Sequence, residues 1–231
     1  MKYTLKTFRK KILADTITPV SVYLRLRDKF PNSLLLESSD YRANDNTFSY
    51  ICCKPIASIT VQDECVKEIF PDGTTRETNI TSETDVVGII EAFAKTFDTD
   101  TNDQKFIQNG LFGYMSYDAV RYFENISVTK KEGALQVPDI YYAVYQNIIA
   151  INHFNNEAHI LSHTYNEDNN LEEIAQLLKI KSFAEYSFKL EGERTSVTTD
   201  EEFKELVSTC KKHCQRGDVF QIVPSKRFSQ S

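Results

Sequence analysis

Residues 33 to 50, SLLLESSDYRANDNTFSY, run three leucines straight into Glu37, Ser38, Ser39 and Asp40. A strand end that offers a carboxylate and hydroxyls beside leucines suits an amphipathic zwitterion. The carboxylate can meet an ammonium while the leucines cover an apolar side chain. The same residues also describe a plain strand terminus that reaches solvent, and the pattern alone leaves both readings open. Gln221 poses a similar choice. It sits inside VFQIV, where the two-residue period of a strand sets it beside Val219 and Val223. A buried primary amide must have its donors and acceptor paired, so Gln221 is either a satisfied core residue or one that faces a ligand. Lys226 and Arg227, beyond Pro224, serve either an anion or solvent.

Two cysteine clusters, Cys52-Cys53 and the CKKHC stretch of Cys210, His213 and Cys214, invite a metal reading. Adjacent residues of a strand point to opposite faces, and the second cluster has no partner pair at zinc-site spacing. Both are therefore expected to be buried thiols. His153, His159 and His163 are expected to be solvent-facing strand residues without a role. The chain has no Gly-rich phosphate loop, Ser nucleophile elbow or metalloprotease pattern.

These residues need elements to hold them. Thr18-Pro19 starts a helix with Val22, Tyr23, Leu26 and Phe30 on one stripe, stopped by Pro31. NSLLLES follows as an interior strand, apolar on both faces until its end. TFSYICCKPIASITV alternates as a strand, EIFPDGTT is a strand entering a turn, and SETDVVGIIEAFAKTF has helical spacing. NGLFGYMSYD is a strand broken by Gly110 and Gly113, and AVRYFENI turns helical. DIYYAVYQNIIAINHF returns through Asn155-Asn156 into AHILSHTY, an antiparallel hairpin. A short helix over Leu171, Ile174, Leu177 and Leu178 follows, then a connection over 184–198. Thr199 and Glu202 make a capping box for a helix with Phe203, Leu206, Val207, Cys210 and Cys214 on its apolar face, closed by Gly217. DVFQIVPSKRF then begins a strand. A capped helix and a strand without further partners predict that the chain is part of a longer protein.

The fold class expected is α+β, mainly antiparallel sheet packed with outer helices and truncated. Residues 1–183 form one domain and 199–231 the start of another. With 231 residues, 41% of them hydrophobic, the chain can bury a core. Its 27 Lys and Arg against 33 Asp and Glu give −6, which argues against a nucleic-acid surface. Five cysteines, an odd number, and a basic N-terminus without an apolar core or cleavage site fit reduced thiols and a cytoplasmic location.

Four segments, SLLLESSD, FSYICCKP, NGLFGYMSYDAVRYFENI and EEFKELVSTCKKHCQRGDVFQIVPSKRFSQ, together resemble component I of anthranilate synthase in order and spacing. The likeness covers most of the chain and is weakest over 165–195. It implies a lyase that makes anthranilate and pyruvate from chorismate and ammonia, with a glutamine amidotransferase subunit as partner and magnesium held by ligands beyond Ser231. It places the feedback site for L-tryptophan on Glu37 and Ser38, with Phe48 and Ser49 nearby. It also implies that 1–183 is the regulatory domain and 199–231 the start of the chorismate-binding catalytic domain, so that this stretch alone is inactive. The position matching Gln221 is a lysine in superfamily members that activate water and a glutamine in those that use ammonia. A lysine freed of its proton can act as base, whereas an amide can only orient a nucleophile that already has its lone pair. Cys52-Cys53 departs from a stretch that commonly holds glycine, and Pro224 interrupts the usual apolar strand ending. Component I of aminodeoxychorismate synthase, with the same fold and ammonia chemistry, is the alternative. A non-catalytic module that binds tryptophan or the amidotransferase is a third reading.

Overall fold

The computed structural model describes residues 2–37, 47–100, 104–126, 128, 136–166, 168–180 and 184–231. They form two compact units, Met1–Ala184 and Glu185–Ser231.

The first unit is built on a nine-stranded mixed, mostly antiparallel sheet. Its long members are β1 (Tyr3–Leu13), β3 (Phe48–Gln62), β8 (Ile140–Asn152) and β9 (Glu157–Thr164). β2 (Leu34–Leu36), β4 (Cys65–Ile69), β5 (Thr75–Asn79), β6 (Phe97–Thr99) and β7 (Phe112–Met115) complete it. The order is β5-β4-β3-β8-β9-β1-β6, with β2 on β3 and β7 on β8; β1 and β6 are parallel. The expected hairpin is present, with Ile148 opposite Leu161 and Asn152 opposite Glu157.

β1 was not foreseen as a strand. Tyr3, Leu5 and Thr7 point inward and alternate with exposed Thr4 and Lys6, so a basic segment still carries a buried stripe. β2 also corrects the expectation of an interior strand. It has three residues and pairs only with β3, and its leucines are apolar on both faces because the sheet is covered on both.

α1 (Pro19–Leu26) starts as expected: Thr18 Oγ1 accepts from the Ser21 amide at 3.1 Å, and Ser21 Oγ accepts from the Thr18 amide at 3.1 Å. Such a cap stabilises a helix by about 1 kcal/mol. Val22 and Leu26 pack with Ile51, Cys53, Ile149 and Ile160 beneath α3 (Leu171–Leu177). α2 (Val86–Ala94) sets Val86 and Phe93 against Tyr3, Ile59 and Val144. The side-chain alternation of β3 sends Cys52 to a third cluster on the other face, with Phe106, Phe112, Tyr145 and Ile148.

His163 is not solvent-facing. It is 1% exposed because the segment after β6 lies over β9, and its ring bonds Thr7 Oγ1 at 2.9 Å and the Gln108 carbonyl at 2.8 Å. Gly113 does not break its strand. It lies within β7, where a Cβ would stand 1.9 Å from the Tyr141 carbonyl oxygen. A turn of 3-10 helix, Tyr117–Tyr122, follows in place of the expected helix.

The second unit holds α4 (Asp200–Arg216) and a two-stranded ribbon of β10 (Thr195–Ser196) and β11 (Phe228–Ser229). The capping box of Thr199 and Glu202 is formed, and Gly217 closes the helix at φ +80°. The strand expected from Asp218 is confined to β11, since extended backbone becomes a strand only where a neighbour supplies hydrogen bonds. No residue of α4 is buried within this unit.

Candidate functional site

β2 and the start of β3 position the residues singled out in the opening stretch. Leu36 lies opposite Tyr50, and Glu37 follows as an exposed residue beyond the last pair. Ser38 lies outside the described residues. Leu34 packs in the aromatic cluster and Leu35 against the α1 core.

Phe48 and Ser49 are consecutive on β3, and their side chains leave opposite faces of the sheet. Phe48 is half-buried, with ring centroids 5.6 Å from Phe106 and 6.4 Å from Tyr50. Ser49 is fully buried, with its Oγ 2.7 Å from Nε2 of His153 at the β8–β9 turn. The structure thus brings the two together in sequence but not on one surface.

Phe48 lines a depression of about 370 Å³ with Phe106, His159, Lys11 and Glu157. The His159 ring lies 4.6 Å from that of Phe106. Burial, and then the charge of Lys11, hold its pKa below the ordinary imidazole value. Lys11 and Glu157 form an ion pair on the rim. The backbone amide of Ile107 donates to the Tyr50 hydroxyl at 3.1 Å, tying the segment that carries Phe106 to β3. Flat aromatic faces with charges of both signs at the edge can hold an amphipathic molecule. Phe106 was missed in the sequence, and His159, expected to face solvent, is instead half-buried against it, because they come from segments more than fifty residues apart that only the sheet brings together.

Cys52 and Cys53 are both fully buried, as expected of structural thiols. Burial pushes the Cys53 thiol up to about 12 and Cys52 higher still. In the second unit Cys214 is exposed and Cys210 half-exposed, against the expectation of burial, since nothing within that unit covers them. Among the described residues no three His, Cys, Asp or Glu side chains come together to hold a metal ion.

Gln221 belongs to the second unit and is exposed between Phe220 and Ile222. The burial premise for a paired core amide therefore does not hold there. Lys226 is engaged with Asp200 at 2.5 Å.

Comparison with known proteins places these observations. The model of a family described as chorismate binding enzyme matches residues 31–231. The chain is 28% identical over 231 residues to anthranilate synthase component 1 of Lactococcus lactis subsp. lactis, covering 95% of this chain and 48% of that protein. It is 27% identical to aminodeoxychorismate synthase component 1 of Bacillus subtilis, covering 96% and 47%. The solved structure of anthranilate synthase component I from Streptococcus pneumoniae shares the fold at a TM-score of 0.58 and 21% identity, covering 95% of this chain and 48% of that one. The chain spans about half the length of the curated relatives it matches. Among the described residues no helix is long and apolar enough to cross a membrane.

Proposed function

The chain belongs to the chorismate binding enzyme family, and on that premise we propose that it is the N-terminal, regulatory part of an anthranilate synthase component I. The observation that carries this is the likeness to the Lactococcus protein over 95% of the chain. The whole enzyme converts chorismate and ammonia to anthranilate and pyruvate, and a glutamine amidotransferase subunit supplies the ammonia.

In this proposal the end of β2, through Glu37 and Ser38, grips the ammonium end of L-tryptophan. Of the two β3 residues, Phe48 is the one on an aromatic surface suited to an indole, and Ser49 acts from the other face by fixing the start of the strand. Gln221 orients ammonia in the complete active site; as an amide it accepts from and donates to the nucleophile without removing a proton. The 231 residues alone are expected to be inactive. Exposed in its unit, Gln221 stands in no water-excluding pocket that could hold chorismate.

The test is the protein expressed from its native open reading frame, given chorismate, ammonium and magnesium. Anthranilate formation inhibited by L-tryptophan, with inhibition lost in Ser38→Phe, is the expected result. Undiminished inhibition in that variant overturns the role of the β2 end. The Bacillus relative favours a second reading, aminodeoxychorismate synthesis. A product that an added lyase converts to 4-aminobenzoate, with no response to tryptophan, would establish it.

A further inference from the structure

A groove in the first unit has none of Glu37, Phe48 and Ser49 in its lining. It measures about 690 Å³, within the range of small-molecule sites, and lies among the end of β1, the turn into α1, α1 itself and the end of α3. Ile12, Ile17, Leu178 and Ile180 give it an apolar lining. Lys10, Arg25 and Lys179 also line it, and among the described residues no carboxylate does, in a chain whose net charge is −6.

The three cations differ in their engagement. Lys10 is held by Glu172 at 2.7 Å. Among the described residues neither Arg25 nor Lys179 has a carboxylate partner. Arg25 donates through Nη1 to the Leu178 carbonyl at 2.7 Å, which fixes the guanidinium at the end of α3. Its Nε is buried and has no hydrogen-bond partner among the described residues. With Nε sealed from solvent, Nη2 is the end of the guanidinium left for a ligand, and it makes no hydrogen bond among the described residues.

We propose that this groove binds a small organic carboxylate with an apolar body and no ammonium group. The carboxylate takes Nη2 of Arg25 with Lys179 beside it, and the body covers the isoleucines and Leu178. A free amino acid fits poorly, because its ammonium would stand beside Arg25 and Lys179, neither of which has a carboxylate partner among the described residues. The site therefore differs in chemistry from the tryptophan site proposed above and stands whether or not that reading holds.

The probe is indole-3-propionate, with tryptamine as its cationic counterpart, titrated into the 231-residue protein and followed by amide-resolved NMR. The expected result is saturable shifts confined to 12–17, 25 and 175–180, a millimolar or tighter dissociation constant, and no such shifts with tryptamine. Leu13→Glu, at a position 68% exposed on the groove wall, puts an anion in the site without disturbing the core. It is expected to weaken the probe at least about tenfold through like-charge repulsion. Arg25→Gln should do the same; if it unfolds the protein by releasing α3, Leu13→Glu carries the test. Absence of saturable shifts, equal affinity in Leu13→Glu, or equal binding of tryptamine would overturn the proposal. So would self-association through this face that the probe cannot displace.

Discussion

Nε2 of His163 lies 2.8 Å from the Gln108 carbonyl and must donate to it, which leaves Nδ1 to accept from the Thr7 hydroxyl. The ring is neutral and pins β9 to β1 and to the covering segment. Burial, the largest cause, pushes its pKa down to about 4 from 6.5. Between those values the unfolded chain binds a proton that the folded chain refuses, so stability is full above pH 6.5 and falls as the pH drops toward 4. The loss from this one group is about 3 kcal/mol. Urea unfolding of wild type and His163→Leu from pH 7 to pH 4 checks it. The variant should be less stable at pH 7 and should lose less on acidification.

Asp139 joins three parts of the first unit. Its Oδ2 accepts from Arg121 Nη2 at 2.6 Å and from the Tyr122 hydroxyl at 3.0 Å. Its amide donates to the Val61 carbonyl at 2.8 Å and its carbonyl accepts from the Ser116 amide at 2.7 Å. The Asp139 and Arg121 side chains are only 11% and 14% exposed. Asp139→Ala leaves a largely buried guanidinium with only the more distant Glu64 carboxylate, at 3.8 Å, and should destabilise by about 3 kcal/mol, whereas Tyr122→Phe should cost about 1 kcal/mol. Thermal unfolding of the two variants would separate them; equal losses would refute the account.

Gly113 is set by the approach of β7 to β8. A methyl group there meets the backbone of Tyr141 and Tyr142, which cannot swing aside as a side chain can. Gly113→Ala should destabilise the first unit by more than about 2 kcal/mol. A melting temperature equal to that of wild type would show that the strands can separate.

Four of the five thiols divide by burial, and Cys65 on β4 is half-buried. Cys52 and Cys53 are sealed in the sheet with raised pKa values, while Cys210 and Cys214 stand on α4. A thiol-exchange reagent at pH 8 should label Cys210 and Cys214 promptly and reach Cys52 and Cys53 only in denaturant. Peptide mapping of the labelled chain reads this directly.

What could be read from the sequence was what local chemistry determines. The capping box at Thr199, the stop at Gly217 and the Asn155-Asn156 turn each depend on neighbours a few residues away, and each is present. Two of the failures share one cause, the dependence on distant segments. β-rich residues after Asp218 cannot make a strand without a partner, and the burial of His163 depends on a segment around Gln108. β1 was hidden because its lysines dominate a composition-based reading while Tyr3, Leu5 and Thr7 carry the pattern. The candidate site rests on a family likeness at Glu37, Ser38, Phe48 and Ser49 rather than on local chemistry. The separation of Phe48 and Ser49 onto two faces follows from strand geometry alone and was available from the start.

The pairing of β1 also has a consequence for the order of events on the ribosome. β1 leaves the exit tunnel before any other strand of the sheet, yet its long antiparallel partner is complete only when Thr164, opposite Lys6, has been made. Its short parallel neighbour β6 supplies just three residue pairs, Tyr3 with Phe97 through Leu5 with Thr99. Until those partners are made β1 is a strand in waiting, with unpaired amides and carbonyls. The run Arg9, Lys10 and Lys11 gives the nascent chain a repulsive guard against pairing with its neighbours during that interval. The closing of the sheet by its first-made strand makes this unit a late and cooperative folder.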